Sequence, residues 1–329
     1  MILFYIISLL ITFVMTAVIL RFLIPYLKSK KMGQKILDIG PRWHKSKEGT
    51  PTMGGLSFLI AISLVCATLF TVLFAQTDDK QMLFPVICLV FAILNSVIGM
   101  IDDRTKFAKN KNEGLLSWQK YLLQLIVAIL FVVTASCLDF VDTHIYLPFF
   151  NKAVDLGFFY YIIAVILITG VVNSVNLADG IDGLAASETA VVAAFFSAVA
   201  FKSENKALGV LSGSTLGGCL GFLVYNFYPA RVFMGDTGSL FLGGLVTSMA
   251  FLIGNPLIIL ICGFVYIMEA ISDIIQVGYF KITHGKRFFK MAPIHHHFEK
   301  CGWSEIKVVT VFSLTTLVLC VVSYFFGIA

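Results

Sequence analysis

Ten stretches of roughly 20 residues, each almost free of charge, recur along this chain, near 3–27, 54–75, 82–101, 119–138, 156–175, 184–201, 207–226, 238–254, 256–280 and 306–327. A helix of about 20 apolar residues spans the roughly 30 Å hydrocarbon layer of a bilayer. Within lipid the backbone must satisfy its own hydrogen bonds, and stretches of this length do so as helices. The pattern therefore predicts an all-α integral membrane protein. Residues 1–329 read as a single polytopic domain, a bundle of about ten transmembrane helices with functional loops on the cytoplasmic side. Composition agrees, at 58% hydrophobic and 13% charged against roughly 45–50% and about 25% for soluble domains. A soluble enzyme and a disordered chain are both excluded. The first stretch lacks a basic leader and runs directly into Lys28, Lys30 and Lys31, so it reads as a retained span and not a signal peptide.

Charge alternates from loop to loop. The first, third and ninth loops carry Lys28 to Lys47, then Arg104 to Lys111, then Lys281 to Lys300, whereas the even-numbered loops hold only Lys80, Lys152, Lys202 and Lys206. By the positive-inside rule the odd loops are cytoplasmic, and ten spans put both termini outside. The net charge of +5 is distributed in short clusters between apolar runs, so no nucleic-acid partner is expected. The seven cysteines contain no CxxC pair and read as small hydrophobes.

The carboxylates carry the chemistry. Asp102 and Asp103 close the third stretch in GMIDDRTK, Asp179 and Asp182 follow the fifth in NSVNLADGIDG, and Asp236 follows the seventh in FMGDTGS. All five fall at one membrane edge. Each alone reads as a cap or a solvated loop acid, but ionisable groups beside a span are costly and five at one level point to a site. Adjacent acids at a helix C-terminus oppose the macrodipole, so the Asp102 and Asp103 pair requires a cation, a metal or a lysine. Asp182 and Asp236 are flanked by glycines and precede apolar runs. That context suits either N-caps or the close approach of a phosphate to a helix N-terminus. Carboxylates beside phosphate-friendly helix ends suggest Mg²⁺. Lys47, Lys111 and Lys120, with Thr50 and Thr52 nearby, add positive charge and polar groups for the same ligand.

Ala292 to Glu299 contains His295, His296 and His297 in succession. Adjacent residues point apart, so three consecutive imidazoles suit hydrogen bonding to a polar ligand better than one metal ion. In the ninth stretch, Glu269, Asp273 and Gln276 form a polar stripe that would be expensive against lipid.

TPTMGG at 50–55, DDRTK at 102–106, NLADGIDGL at 176–184, FMGDTGSLFLGG at 233–244 and APIHHHFE at 292–299 together resemble the phospho-N-acetylmuramoyl-pentapeptide transferase family, within the polyprenyl-phosphate N-acetylhexosamine-1-phosphate transferases. The resemblance runs from the first cytoplasmic loop to the last. It implies an inner-membrane enzyme, often a homodimer, that moves phospho-MurNAc-pentapeptide from UDP to undecaprenyl phosphate, giving lipid I and UMP. It also implies Asp236 as the Mg²⁺ ligand, Asp102 and Asp103 facing the lipid phosphate, and Asp179 and Asp182 at the nucleotide and diphosphate end. Phe233 would stack on uracil, with Asn176, Gly180, Ile181 and Gln276 around the uridine. Lys47, Thr52, Lys111, Lys120, Asn173, Asn226 and the three histidines match further polar positions of the cleft.

Phosphoryl transfer depends chiefly on positioning and charge neutralisation. A phosphomonoester is mostly a dianion at neutral pH, so direct in-line attack by the lipid phosphate on the β-phosphate is favoured, with Asp103 orienting it or taking a residual proton. A covalent aspartyl-phosphate on Asp102 or Asp103 is the alternative mechanism. Two other functions compete: a relative acting on UDP-GlcNAc, which the histidine run argues against, and a cation-coupled transporter. The latter should carry acids near the bilayer midplane, and here only Glu269 and Asp273 qualify.

Overall fold

A computed structural model describes residues 1–30, 32–33, 47–77, 80–108, 114–147 and 152–327. Each of the ten apolar stretches carries a helix: α1 (Ile2–Ser29), α2 (Leu56–Thr77), α3 (Leu83–Ala108), α4 (Ser117–Cys137), α5 (Phe158–Ala178), α6 (Leu184–Lys202), α7 (Lys206–Asn226), α8 (Gly235–Leu252), the pair α9 (Ile259–Cys262) and α10 (Phe264–Ile282), and α12 (Glu305–Phe326). A short helix α11 (Ile294–Lys300) holds the histidine run. Between α4 and α5 lies an antiparallel hairpin, β1 (His144–Leu147) and β2 (Lys152–Asp155), with His144 opposite Asp155 and Leu147 opposite Lys152. The apolar pattern gives no sign of this hairpin.

Among the described residues, eight helices, α1 to α7 and α12, are long and apolar enough to cross a membrane. The remaining two predicted spans differ from expectation. The ninth is not straight: the segments on either side of Gly263 are bent by 79°. Pro256 opens a 3₁₀ turn ahead of α9, and Gly263 closes α9 with its N–H on the Ile259 carbonyl at 2.8 Å. Glycine at such a junction removes the side chain that would resist the bend. The eighth, α8, has only 18 residues and is buried almost throughout, from Thr237 to Phe251. It is the axis of the bundle and has little surface left for lipid.

Small residues allow this packing. Gly209, Gly213, Gly217 and Gly221 recur every four residues along α7, a spacing that keeps them on one face. A Cβ on Gly217 would lie 2.2 Å from the Leu9 carbonyl of α1, and one on Gly213 would lie 2.5 Å from Ser8 Oγ. In α8, a Cβ on Gly244 would meet Ala92 Cα of α3 at 2.7 Å and one on Gly243 would meet Val172 Cα of α5 at 2.8 Å. Without a hydrophobic driving force in lipid, such backbone proximity supplies dispersion contact that larger residues would prevent.

Helix direction sorts the loops between two ends. Met1 lies against Gly209 near the start of α7, Lys202 Nζ sits 5.8 Å from the Tyr324 ring, and Asn255 Nδ2 donates to the Gly327 carbonyl at 3.0 Å. Both termini therefore share one end. The 21 residues of α7 carry the chain about 30 Å to the other end. Gathered there are the last turns of α3 and α5, the first turns of α4, α6, α8 and α12, and the 47–55 segment, which together form the candidate site.

Candidate active site

α3 does not end at the paired acids. It continues to Ala108, so Asp102 and Asp103 lie inside the helix with more than one turn beyond them. This corrects the expectation that they occupy its C-terminus. The continuation is productive because Lys106 then falls one turn on, the spacing at which helical side chains meet. Its Nζ is 2.7 Å from Asp102 Oδ2 and 3.9 Å from Asp103 Oδ1. The lysine supplies the cation that the acid pair demands.

One turn earlier, Gly99 brings α8 against α3. A Cβ there would lie 2.1 Å from the Asp236 carbonyl oxygen, and Ser96 Oγ donates to the Thr237 carbonyl at 2.8 Å. The start of α8 consequently rests on Asp103. Its Oδ1 accepts from the Asp236 N–H at 3.2 Å, and its Oδ2 accepts from the Thr237 N–H at 2.9 Å and the Thr237 hydroxyl at 2.6 Å. Asp103 thus caps α8 from a different helix, satisfying donors that a helix start leaves open. The N-cap residues of α6 and α8 are Gly183 and Met234, so neither Asp182 nor Asp236 caps its own helix.

Asp236 joins the group through its side chain. Oδ2 receives Lys106 Nζ at 3.0 Å and Lys120 Nζ at 2.8 Å, and Oδ1 receives Asn176 Nδ2 at 3.0 Å. Lys120 also donates to Asn176 Oδ1 at 2.9 Å, and Asn176 Nδ2 reaches Ser239 Oγ at 2.7 Å. Asp102 Oδ1 accepts from the Leu115 N–H at 2.7 Å, tying the start of the α4 segment to the same centre. Oxygen atoms of Asp102, Asp103 and Asp236 lie within 4.8 Å of one another. An all-carboxylate donor set of this size fits a hard divalent cation such as Mg²⁺.

The 50–55 segment lines the same centre. Phe233 N–H donates to the Pro51 carbonyl and Gly54 N–H to the Phe233 carbonyl, both at 2.8 Å. This pairing leaves Phe233 partly exposed and sets Thr52 beside Gly235, where a Cβ would meet Asp103 Oδ2 at 2.7 Å and Thr52 Oγ1 at 2.9 Å. Gly235 has φ +70°, a conformation that favours glycine.

Asp182 stands apart. It is buried, with Oδ1 on Lys47 Nζ at 2.7 Å and Oδ2 accepting from the Ala230 N–H at 2.9 Å. Glu305 of α12 also pairs with Lys47 and accepts the Asp182 N–H at 3.2 Å. Lys47, Asp182 and Glu305 therefore form a brace across three segments. Asp179 feels the charge of both this brace and the Asp236 group. Removal from water, followed by the like charges of Asp236, Asp103 and Asp182, raises its carboxyl well above the usual carboxylate range.

Several expected contacts are otherwise engaged. Asn226 is buried with both amide atoms used, accepting from Gly183 N–H at 3.1 Å and donating to the Val232 carbonyl at 2.9 Å. Gln276 binds the 288–289 backbone, accepting from Phe288 at 3.2 Å and Phe289 at 2.9 Å. Asn173 donates to Gln124 Oε1 at 2.7 Å, and Ile181 packs into an apolar cluster with Val265 and Phe312. His295 pairs with Glu269, His296 Nδ1 with Glu299 at 2.6 Å, and His297 Nδ1 accepts from the Lys290 N–H at 3.1 Å. Gly180 abuts the His295 ring. Lys111 lies outside the described residues. Sequence reasoning missed Lys106, Gly99 and Glu305; only Lys106 had a readable signal, its i+4 and i+3 spacing from the acid pair.

A family model for glycosyl transferase family 4 matches residues 85–254, and a phospho-N-acetylmuramoyl-pentapeptide-transferase signature matches residues 47–59. A Clostridium botulinum (strain Eklund 17B / Type B) phospho-N-acetylmuramoyl-pentapeptide-transferase is 45% identical over 96% of this chain and 94% of its own length. Its Clostridium acetobutylicum namesake is 44% identical over 96% and 97%, and that of Acetivibrio thermocellus is 46% identical over 92% and 89%. With relatives this similar along nearly the whole chain, and with the signature lying on the segment that pairs beside Asp103 and Asp236, the chain belongs to the phospho-N-acetylmuramoyl-pentapeptide-transferase family.

Proposed function

We propose that the Asp102, Asp103 and Asp236 centre transfers phospho-MurNAc-pentapeptide from its UDP carrier to undecaprenyl phosphate, releasing UMP and forming lipid I. The observation that carries this reading is three carboxylates and two lysines converging on one point at one end of a membrane bundle. The acceptor's hydrocarbon tail stays in the bilayer and the charged nucleotide stays in water, so the reaction needs an edge site of this kind. The charge pattern of the loops supports a cytoplasmic edge with both termini outside.

Asp236, with Asp102 beside it, would hold Mg²⁺, which when bound would supply charge neutralisation at the diphosphate. Lys106 and Lys120 already lie on Asp236 and would orient phosphate oxygens against it. Asp103 is committed to the start of α8, so its part is to hold Asp236 in place, and direct attack by the lipid phosphate needs no protein nucleophile. Phe233 is partly exposed beside this centre, suited to stacking on the nucleobase. The reading includes a homodimer, which the sedimentation of detergent-solubilised protein tests. Full-length protein in detergent should release UMP when given UDP-MurNAc-pentapeptide, undecaprenyl phosphate and Mg²⁺. Release with UDP-GlcNAc alone would overturn the substrate assignment.

A further inference from the structure

Glu269 and His295 form a fully buried pair behind the site. Glu269 projects from α10 and His295 from α11, both with no exposed surface. Glu269 Oε2 lies 3.0 Å from His295 Nδ1 and also receives the His295 backbone N–H at 3.4 Å. One carboxylate oxygen therefore meets both the ring and the main chain of the same residue, which fixes the ring's direction as well as its position. Nε2, on the far side of the ring, is buried and has no hydrogen-bond partner among the described residues. It faces Gly180, where a Cβ would lie 2.3 Å away. Gly180 belongs to the loop bearing Asp179 and Asp182, so the imidazole bridges α10 and that loop.

A polar atom buried without a partner is costly and calls for an explanation; Glu269 Oε1 is also buried without a partner among the described residues, but only His295 Nε2 faces the loop of the site. We propose that Glu269 is a positioning residue. By engaging Nδ1 it holds His295 with Nε2 directed at the 179–182 loop, so that Nε2 makes its hydrogen bond only when the diphosphate substrate occupies the adjoining site. This inference rests on the reaction assigned above. An imidazole held by a carboxylate at one nitrogen presents the other in a defined state, the arrangement that orients histidines elsewhere in catalysis. The absence of a side chain at Gly180 is what admits the ring so close to the loop.

Two measurements on full-length protein in detergent test this. In ¹⁵N-histidine spectra, with His295 assigned by comparison with His295→Gln, Nδ1 should carry a proton in the wild type. That signature should disappear in Glu269→Ala. In UMP-release kinetics, Glu269→Ala and His295→Gln should each lower kcat by about 100-fold, the lower end of the range for positioned proton-transfer groups. The double variant should fall no further than the worse single variant, because both remove one unit. Glu269→Gln, which keeps the acceptor oxygen, should retain kcat within about threefold of the wild type and remains informative should Glu269→Ala fold poorly. Multiplying losses in the double variant, a Glu269→Gln defect as deep as that of alanine, or an unaltered Nδ1 signal would each overturn the proposal. Wild-type protein that releases no UMP from its substrates would instead sink the assigned reaction, while the spectra would still decide the pairing.

Discussion

At the level of single residues, two neighbouring aspartates divide structure from chemistry. Asp103 accepts three hydrogen bonds from the start of α8, whereas Asp236 meets lysines and an asparagine at the open face of the site. Asp103→Asn turns one acceptor into a donor against those N–H groups, an error worth about 1–3 kcal/mol. It should lower the melting temperature by several degrees and lower activity with it. Asp236→Asn loses the pairs with Lys106 and Lys120 and should lower the melting temperature as well, but it should reduce UMP release by at least about 100-fold, well beyond the loss in Asp103→Asn, and equal activity losses in the two variants would contradict the division. Asp179 gives a pH-dependent contrast. Its raised carboxyl binds a proton more tightly when folded than when unfolded, so stability drains away as pH rises above the ordinary Asp value of about 4. In magnesium-free buffer, Asp179→Asn should melt above the wild type near pH 8, and the two should converge towards pH 4. Coincident melting curves near pH 8 would refute the assigned strain.

Among the elements, the apolar stretches were legible because lipid imposes a length of about 20 residues on each span. Their ends were less so. The polar segment after Ile101 looked like a loop, yet Lys106 extends α3 by answering Asp102 one turn on. The break at Gly263 was hidden inside an unbroken apolar run, since hydropathy carries no information about direction. The site's five acids were visible as a charge pattern, but not the packing that assembles them, because Gly99 is unremarkable until α8 lies against it. At that point the α3 and α8 backbones approach so closely that a Cβ on Gly99 would sit 2.1 Å from the Asp236 carbonyl. Gly99→Ala should therefore push α8 away from Asp103, costing about 1–3 kcal/mol as overpacking usually does and at least about tenfold in turnover, given how steeply catalysis depends on placement. Gly278 of α10 has nothing within 4 Å of its would-be Cβ, so Gly278→Ala should leave the melting temperature unchanged or raise it slightly. Normal turnover in Gly99→Ala would show that the contact does not set the site.

For the molecule as a whole, the bundle places the termini and the acid centre at opposite ends, and the proposed sidedness, argued from loop charge, puts those ends on opposite sides of the membrane. Two exposed cysteines already mark this axis. Cys301 follows the histidine helix and shortly precedes Glu305 at the start of α12, while Cys137 closes α4, whose first turn carries Lys120 of the site. The 21 residues of α4 separate those ends by about 30 Å. The other five cysteines are buried, and a thiol must be reached as thiolate to react. A membrane-impermeant maleimide applied to intact spheroplasts should therefore label Cys137 alone, a signal that Cys137→Ser removes. Cys301 should react only after the membrane is opened, and Cys301→Ser should remove that second signal. Labelling of Cys301 in intact cells would invert the molecule and put the carboxylate centre outside, where no cytoplasmic nucleotide could reach it; the sidedness and the proposed substrate would then fail together.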